Sequence, residues 1–263
     1  MPKQVEDIST INIASGIRER SIEEELSFDH PAHFHEWCFN QKIANFHWEM
    51  YELLLDGHLN PYGNNGQLLF LAPRNHAKTT ILESFFCWLI GRDNLILTQV
   101  ISSTQAVAEK RLGKVSNIFQ YSNRYRSLFG DLYRNDPEFT WNNSELEVFR
   151  DRDKVWSEGG VEERDPTMAA IGITSSVEGG RAHFQGYDDI VSRKNATSKV
   201  LRETVKQEFW TTFDPMLIPG GQQVFMGTRY HYDDLYAELI TKFDIESRYP
   251  DLHVEIIDGD DEE

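Results

Sequence analysis

Lys78 and Thr79 stand between an apolar run of strand length, 68–71, and an apolar helical pattern made by Ile81, Leu82, Phe85, Phe86, Leu89 and Ile90. Strand, tight polar loop, Lys-Thr, helix is the layout of a P-loop. In it, backbone N–H groups and a helix N-terminus surround a phosphate. A lysine neutralises β/γ charge there, and a hydroxyl ligates Mg²⁺. The loop 72–77 reads Ala-Pro-Arg-Asn-His-Ala, so alanine stands at 72 and 77, where G-x-x-x-x-G-K-[ST] has glycine, and Arg74 lies inside it. The stretch is therefore either a plain helix start or an arginine-bearing variant of the phosphate loop.

Such a loop needs a second strand that ends in acids. His183-Phe-Gln-Gly-Tyr-Asp188-Asp189-Ile190 supplies two adjacent carboxylates at a strand's carboxyl end. Asp188 would hold Mg²⁺, directly or through water, and Asp189 would orient and polarise an attacking water. Gln185 and Gly186 interrupt this strand's apolar character. A third segment, Val224-Phe-Met-Gly227-Thr228-Arg229-Tyr230-His231-Tyr232-Asp233-Asp234-Leu235, places a hydroxyl at the sheet edge where α/β proteins bind ligands. Thr228 could sense a terminal phosphate there. Asp233 reads equally well as the cap of the next helix.

The elements that must position these groups alternate. Strands are expected at 95–102, 168–174, 183–190 and 222–228, with a last one at 253–257. Helices are expected at 104–120, at 197–213 and from Asp233. A polar insertion spans 121–165, with a hairpin around 145–149. Alternation of this kind predicts an α/β fold with a mainly parallel sheet flanked by helices. Three regions follow: a helical N-terminal extension over 1–45, the main domain over 46–243, and an acidic tail or linker over 244–263.

Bulk properties agree. A 40% hydrophobic content suits a globular chain, and no run approaches the roughly 18 apolar residues of a membrane span. No signal-peptide layout opens the sequence, so Cys38 and Cys87 read as reduced thiols of a cytosolic protein. The net charge of −17 argues against nucleic acid, but nine acids and one base in 244–263 account for −8 of it. Arg193, Lys194, Lys199, Arg202 and Lys206 form a locally basic stretch against Glu203 alone. It is either a solvated helix face or a weak, salt-sensitive contact for a phosphate backbone.

Four segments together resemble the tailed-phage terminase large subunit, the DNA-packaging motor: Pro73 to Thr80, Ile101 to Leu112, Gly180 to Ile190, and Gly227 to Leu235. The resemblance covers roughly 45–240, in family order. It implies a P-loop ATPase fold of the RecA-like (ASCE) type, ATP and Mg²⁺ as cofactors, and ATP hydrolysis that drives double-stranded DNA into a procapsid. Arg74 would contact the γ-phosphate in cis. Pro73, Asn75, His76, Ala77 and Thr80 would complete the loop around Lys78. Thr79 and Asp188 would hold the metal, Asp189 would be the catalytic carboxylate, and Thr228 with Arg229 would lie in the coupling segment. Phe46 and His47 would pack near adenine, and Arg181 would reach into a neighbouring subunit.

The implied partners are DNA, the portal protein, the terminase small subunit and further copies in a ring on the procapsid, in the host cell cytoplasm and with no membrane. Family members carry a C-terminal nuclease domain. Residues after 240 offer no scaffolded acids, so no DNA cutting is expected of this chain. The alternatives are a helicase-like ATPase, a small-molecule P-loop kinase, and a non-catalytic assembly module with a degenerate nucleotide site.

Overall fold

The computed structural model describes residues 20–60, 66–150, 165–176 and 179–243. Three helices come first: α1 (Ile22–Asp29), α2 (Pro31–Phe39) and α3 (Asn45–Leu59). Then follow β1 (Gln67–Leu71), α4 (Lys78–Arg92), β2 (Thr98–Ser102), α5 (Gln105–Tyr121), α6 (Asn123–Phe129), β3 (Glu145–Leu146), β4 (Met168–Gly172) and β5 (Ala182–Asp188). The chain continues through α7 (Arg193–Thr197), α8 (Lys199–Glu208), a π-helical turn (Phe209–Phe213), a 3₁₀ turn (Asp214–Met216), β6 (Leu217–Gly227) and α9 (Leu235–Phe243). The fold is α/β. Six strands form one sheet in the order β1-β6-β5-β2-β4-β3, and every pairing is parallel except β3 with β4.

Successive strand residues point to opposite faces, which divides the core in two. Leu68, Val100, Ala170, Phe184, Val224 and Met226 face one side; Ile101, Ile171, Tyr187 and Phe225 face the other. α4 crosses the first face and is buried from Ile81 to Ile90, because the N-terminal helices cover its outer side. Trp88 Nε1 donates to Phe28 O (3.1 Å) and Tyr51 Oη to Ile81 O (3.4 Å). Gly186 lies where α4 meets β5: a Cβ there would fall 2.7 Å from Phe86 and 2.8 Å from Leu82. Its break in the apolar pattern is therefore a packing requirement.

Several expected boundaries move. The strand expected from 95 starts at Thr98, because Asp93 Oδ1 accepts from Leu95 N (2.9 Å) and holds a turn. The helix expected over 197–213 is split by Ser198, which caps α8, and relaxes into the π-helical turn. The expected hairpin strand around 145–149 is the two-residue β3. It pairs with β4, and its own return is only the Trp141–Leu146 bridge. The strand at 253–257 and the tail over 244–263 lie outside the described residues. Among the described residues, no helix is long and apolar enough to cross a membrane.

Gln185 has a role that its polarity concealed. Gln67, Gln223, Gln185 and Gln99 sit in register on four neighbouring strands, β1, β6, β5 and β2. Gln67 Nε2 donates to Gln223 Oε1 (2.9 Å), Gln223 Nε2 to Gln185 Oε1 (3.0 Å), and Gln185 Nε2 to Gln99 Oε1 (2.9 Å). A buried amide row of this kind satisfies each member only in this register.

Candidate functional site

The loop 72–77 leaves β1 beside the end of β6, where Leu71 pairs with Gly227 and Ala72 N donates to Gly227 O (3.2 Å). Two of its residues adopt left-handed backbone: Asn75 (φ 67°) and Ala77 (φ 54°). Ala77 immediately precedes α4. It keeps the glycine-like conformation without being glycine, at a cost of roughly 1–2 kcal/mol.

Lys78 opens α4 and is 7% exposed. Its Nζ donates to the carbonyls of Ala72 and Pro73 (2.8 Å to the latter) and to Thr228 Oγ1 (3.4 Å). Thr228 in turn donates to Ala72 O (3.1 Å). Burial lowers the Lys78 pKa, while the charges of Asp189 and Asp188 oppose that shift. Lysine, loop and the residue after β6 thus form one knot at the carboxyl edge of the sheet.

Asp188 ends β5 and Asp189 leaves it. Thr79 Oγ1 donates to Asp188 Oδ1 at 2.7 Å, so the first turn of α4 reaches the neighbouring strand end. Asp188 is 1% exposed. Asp189 has φ 47°, and its N–H donates to Met226 O (2.8 Å). Its Oδ1 is buried with no hydrogen-bond partner. Burial raises the Asp189 pKa, the neighbouring Asp188 charge adds to this, and Lys78, Arg111 and Arg74 oppose it.

The remaining expected residues separate into near and far. Arg74 is exposed, and its guanidinium donates to Tyr230 Oη at 2.8 Å, tying the loop to the segment after β6. Asn75 and Pro73 are exposed on the same loop, and Thr80 is half-buried on α4. His47 touches the loop through Nε2, 3.2 Å from His76 O, while Ala44 N donates to its Nδ1 (3.2 Å). Phe46 packs at a tilt against His47 and lies near His76, with ring centroids 3.8 and 6.0 Å apart. Arg229 is half-buried beside Thr228. Arg181 is elsewhere: it precedes β5 at the opposite edge of the sheet, about 20 Å of strand from Asp188. There its Nε pairs with Asp165 (3.2 Å).

Three side chains at this edge were not singled out from the sequence. Arg111 on α5 donates through Nε to Asp188 Oδ2 at 2.7 Å. Glu83, one turn after Thr79, lies 3.7 Å from Arg111 and 3.4 Å from Lys114. Tyr236 on α9 is fully buried against Gly227. Helical spacing from Thr79 could have flagged Glu83; nothing local marks Arg111 or Tyr236. Asp234 caps α9, donated to by Ala237 N (3.1 Å). Asp233 instead pairs with Lys206 (2.7 Å) and Arg202 (3.6 Å), which removes two cations from the basic stretch.

Among the described residues, no cluster of three His, Cys, Asp or Glu side chains is placed to hold a metal ion. Thr79, Asp188 and Asp189 bring one hydroxyl and two carboxylates to this edge. That donor set suits a hard cation such as Mg²⁺, which takes one or two carboxylates and completes its shell with waters and substrate phosphates.

No family model matches the chain. A curated protein similar to it is the terminase large subunit of Enterobacteria phage T3, 26% identical over 183 residues. The alignment covers 67% of this chain and 28% of the phage T3 protein, so the chain spans well under two thirds of its relative's length.

Proposed function

We propose that this chain is the ATP-hydrolysing part of a DNA-packaging terminase large subunit, with a variant P-loop at 72–79. The observation that carries the reading is the 2.7 Å contact of Thr79 with Asp188, made beside Lys78 and Asp189 at one sheet edge. A Lys-Thr pair and a strand-end carboxylate are the two halves of a phosphate and cation site, and here they touch. The similarity to the phage T3 protein supports the packaging role.

Thr79 and Asp188 would hold Mg²⁺. A cation held by these two residues would supply positive charge to offset that of the substrate phosphates. Lys78 would exchange its loop carbonyls for β- and γ-phosphate oxygens. Arg74 would leave Tyr230 for the γ-phosphate, which makes Tyr230 and the coupling residues Thr228 and Arg229 responsive to the nucleotide. Asp189, with an unsatisfied buried oxygen, would accept a hydrogen bond from the attacking water and orient it. His47 and Phe46, packed against the loop, would border the adenine. Arg181 is too distant to act in cis and would serve only a neighbouring copy. Double-stranded DNA, the portal, the small subunit and other copies in a ring would be the partners, in the host cytoplasm.

The test is steady-state ATP hydrolysis by the purified chain and by Lys78→Ala and Asp189→Ala variants. Each substitution should lower turnover at least 100-fold while the folded fraction is unchanged. Near-normal turnover in either variant rejects the assigned site. An Arg181→Ala effect that grows with protein concentration would support a role between subunits.

A further inference from the structure

Both oxygens of Asp188 are occupied: Oδ1 accepts from Thr79 (2.7 Å) and Oδ2 from Arg111 Nε (2.7 Å). The same guanidinium lies 3.7 Å from Glu83 Oε1, beyond hydrogen-bond reach, and that oxygen is buried with no hydrogen-bond partner. The other Glu83 oxygen accepts from Lys114 at 3.4 Å. Leu82, Phe86, Val100 and Val115 wall the space around these groups. Arg111 therefore donates through Nε to one buried carboxylate and is less than an ångström short of hydrogen-bond reach to a second, whose Oε1 has no hydrogen-bond partner. Glu83 lies one turn after Thr79 on α4 and Thr79 donates to Asp188, so both carboxylates border the proposed cation position.

Two cations on one carboxylate repel. In a partly buried site this repulsion is screened far less than in water, and it is larger for a divalent ion than for a unit charge. A guanidinium on Asp188 and a metal ion on Asp188 cannot both be held at full strength. We infer that Arg111 is an internal counter-ion of the cation site: it occupies Asp188 while the site lacks metal and closes onto Glu83 when a divalent cation arrives. Arg111 is a positioning residue in this scheme. Its charge competes with the metal, and Glu83 provides the place to which it withdraws. The inference rests on the proposed Mg²⁺–nucleotide reading.

The experiment is direct Mn²⁺ binding followed by electron paramagnetic resonance, with ADP affinity measured calorimetrically with and without Mg²⁺, on the full chain. Arg111→Gln should bind Mn²⁺ roughly ten-fold tighter, the equivalent of about 1.4 kcal/mol. Arg111→Lys keeps the charge and should stay near wild type. Glu83→Gln takes away the withdrawal position and should weaken Mn²⁺ several-fold. A structural role alone would not give opposite signs for Arg111→Gln and Glu83→Gln. Unchanged or weaker Mn²⁺ binding in Arg111→Gln overturns the inference, as does an unchanged Glu83→Gln. Should Arg111→Gln fail to fold, the Glu83→Gln result decides alone. If the wild type binds ADP in a Mg²⁺-dependent way while the variants show no such pattern, only the counter-ion role falls. If the wild type binds neither Mn²⁺ nor ADP, the nucleotide reading falls with it.

Discussion

The Thr79 hydroxyl donates to Asp188 Oδ1 across 2.7 Å, joining residues 109 positions apart in the chain. One short polar bond links the start of α4 to the end of β5, and it joins the two residues proposed to hold a cation. Thr79→Ser keeps the hydroxyl and should retain turnover within several-fold. Thr79→Ala should lower it by roughly two orders of magnitude while changing stability by only about 1 kcal/mol. Turnover and denaturant midpoints measured on the same preparations separate the two effects. Equal turnover for both variants would remove Thr79 from the site.

Ala77 tests the loop's backbone. Alanine in left-handed geometry costs roughly 1–2 kcal/mol, and glycine relieves that at the cost of a more flexible unfolded chain. Ala77→Gly should therefore leave stability unchanged or raise it by up to about 1 kcal/mol. Ala77→Val, β-branched, should lose more than 2 kcal/mol. Urea unfolding of the pair decides, and a destabilised glycine variant would mean that the loop does not need this conformation.

Gly227 and Tyr236 form a tight joint just before Thr228. A Cβ on Gly227 would lie 2.2 Å from Tyr236 Oη, and that ring is fully buried. Gly227→Ala should cost roughly 2–3 kcal/mol. Pairing it with Tyr236→Leu should recover part of that loss, a coupling that a double-mutant cycle measures. Additive losses would show that the two sites do not press on each other.

The glutamine row should be costly to interrupt at its centre. Gln185 Oε1 accepts from Gln223 and Tyr187, and its Nε2 donates to Gln99 and to Phe213 O. Gln185→Leu strands several buried partners and should lose roughly 3–5 kcal/mol. Gln67→Leu, at the half-buried end of the row, should lose about 1 kcal/mol. Equal losses in thermal melts would argue against a connected network.

Two buried groups should give opposing pH dependences. Burial pushes Glu83 up to about 7 against the pull of Lys114 and Arg111, with the Asp188 charge adding to the rise. Between about 4.5 and 7 the unfolded chain has released this proton and the folded chain holds it, so stability falls as pH rises. His35, hydrogen-bonded to Tyr51 Oη at 2.7 Å, is lowered by burial to about 4, with His47 adding to the shift. Between about 4 and 6.5 only the unfolded chain protonates it, so stability falls as pH falls. Each is worth about 3 kcal/mol, and the two largely cancel in the wild type. Relative to wild type, Glu83→Gln should gain stability as pH rises from 5 to 7, and His35→Gln should gain as it falls. Denaturation midpoints at both pH values check the signs.

What the sequence by itself determined was local. Strand 68–71, the polar loop, the helix from Lys78 and the acids closing β5 were legible because turn chemistry and the periods of two and 3.6 act between near neighbours. The parallel α/β plan followed from their alternation. Boundaries failed where side chains intervened: Asp93 holds a turn ahead of β2, and Ser198 splits the helix at α8. The tertiary structure alone decided that Arg111 meets Asp188, that Glu83 waits beside them, and that four glutamines align across four strands. It also placed Arg181 at the far edge from Lys78, although it lies only seven residues before Asp188. A parallel strand carries its two ends to opposite edges of the sheet, and the strand order decides which distant side chains share an edge. Neither is a property of any window of sequence.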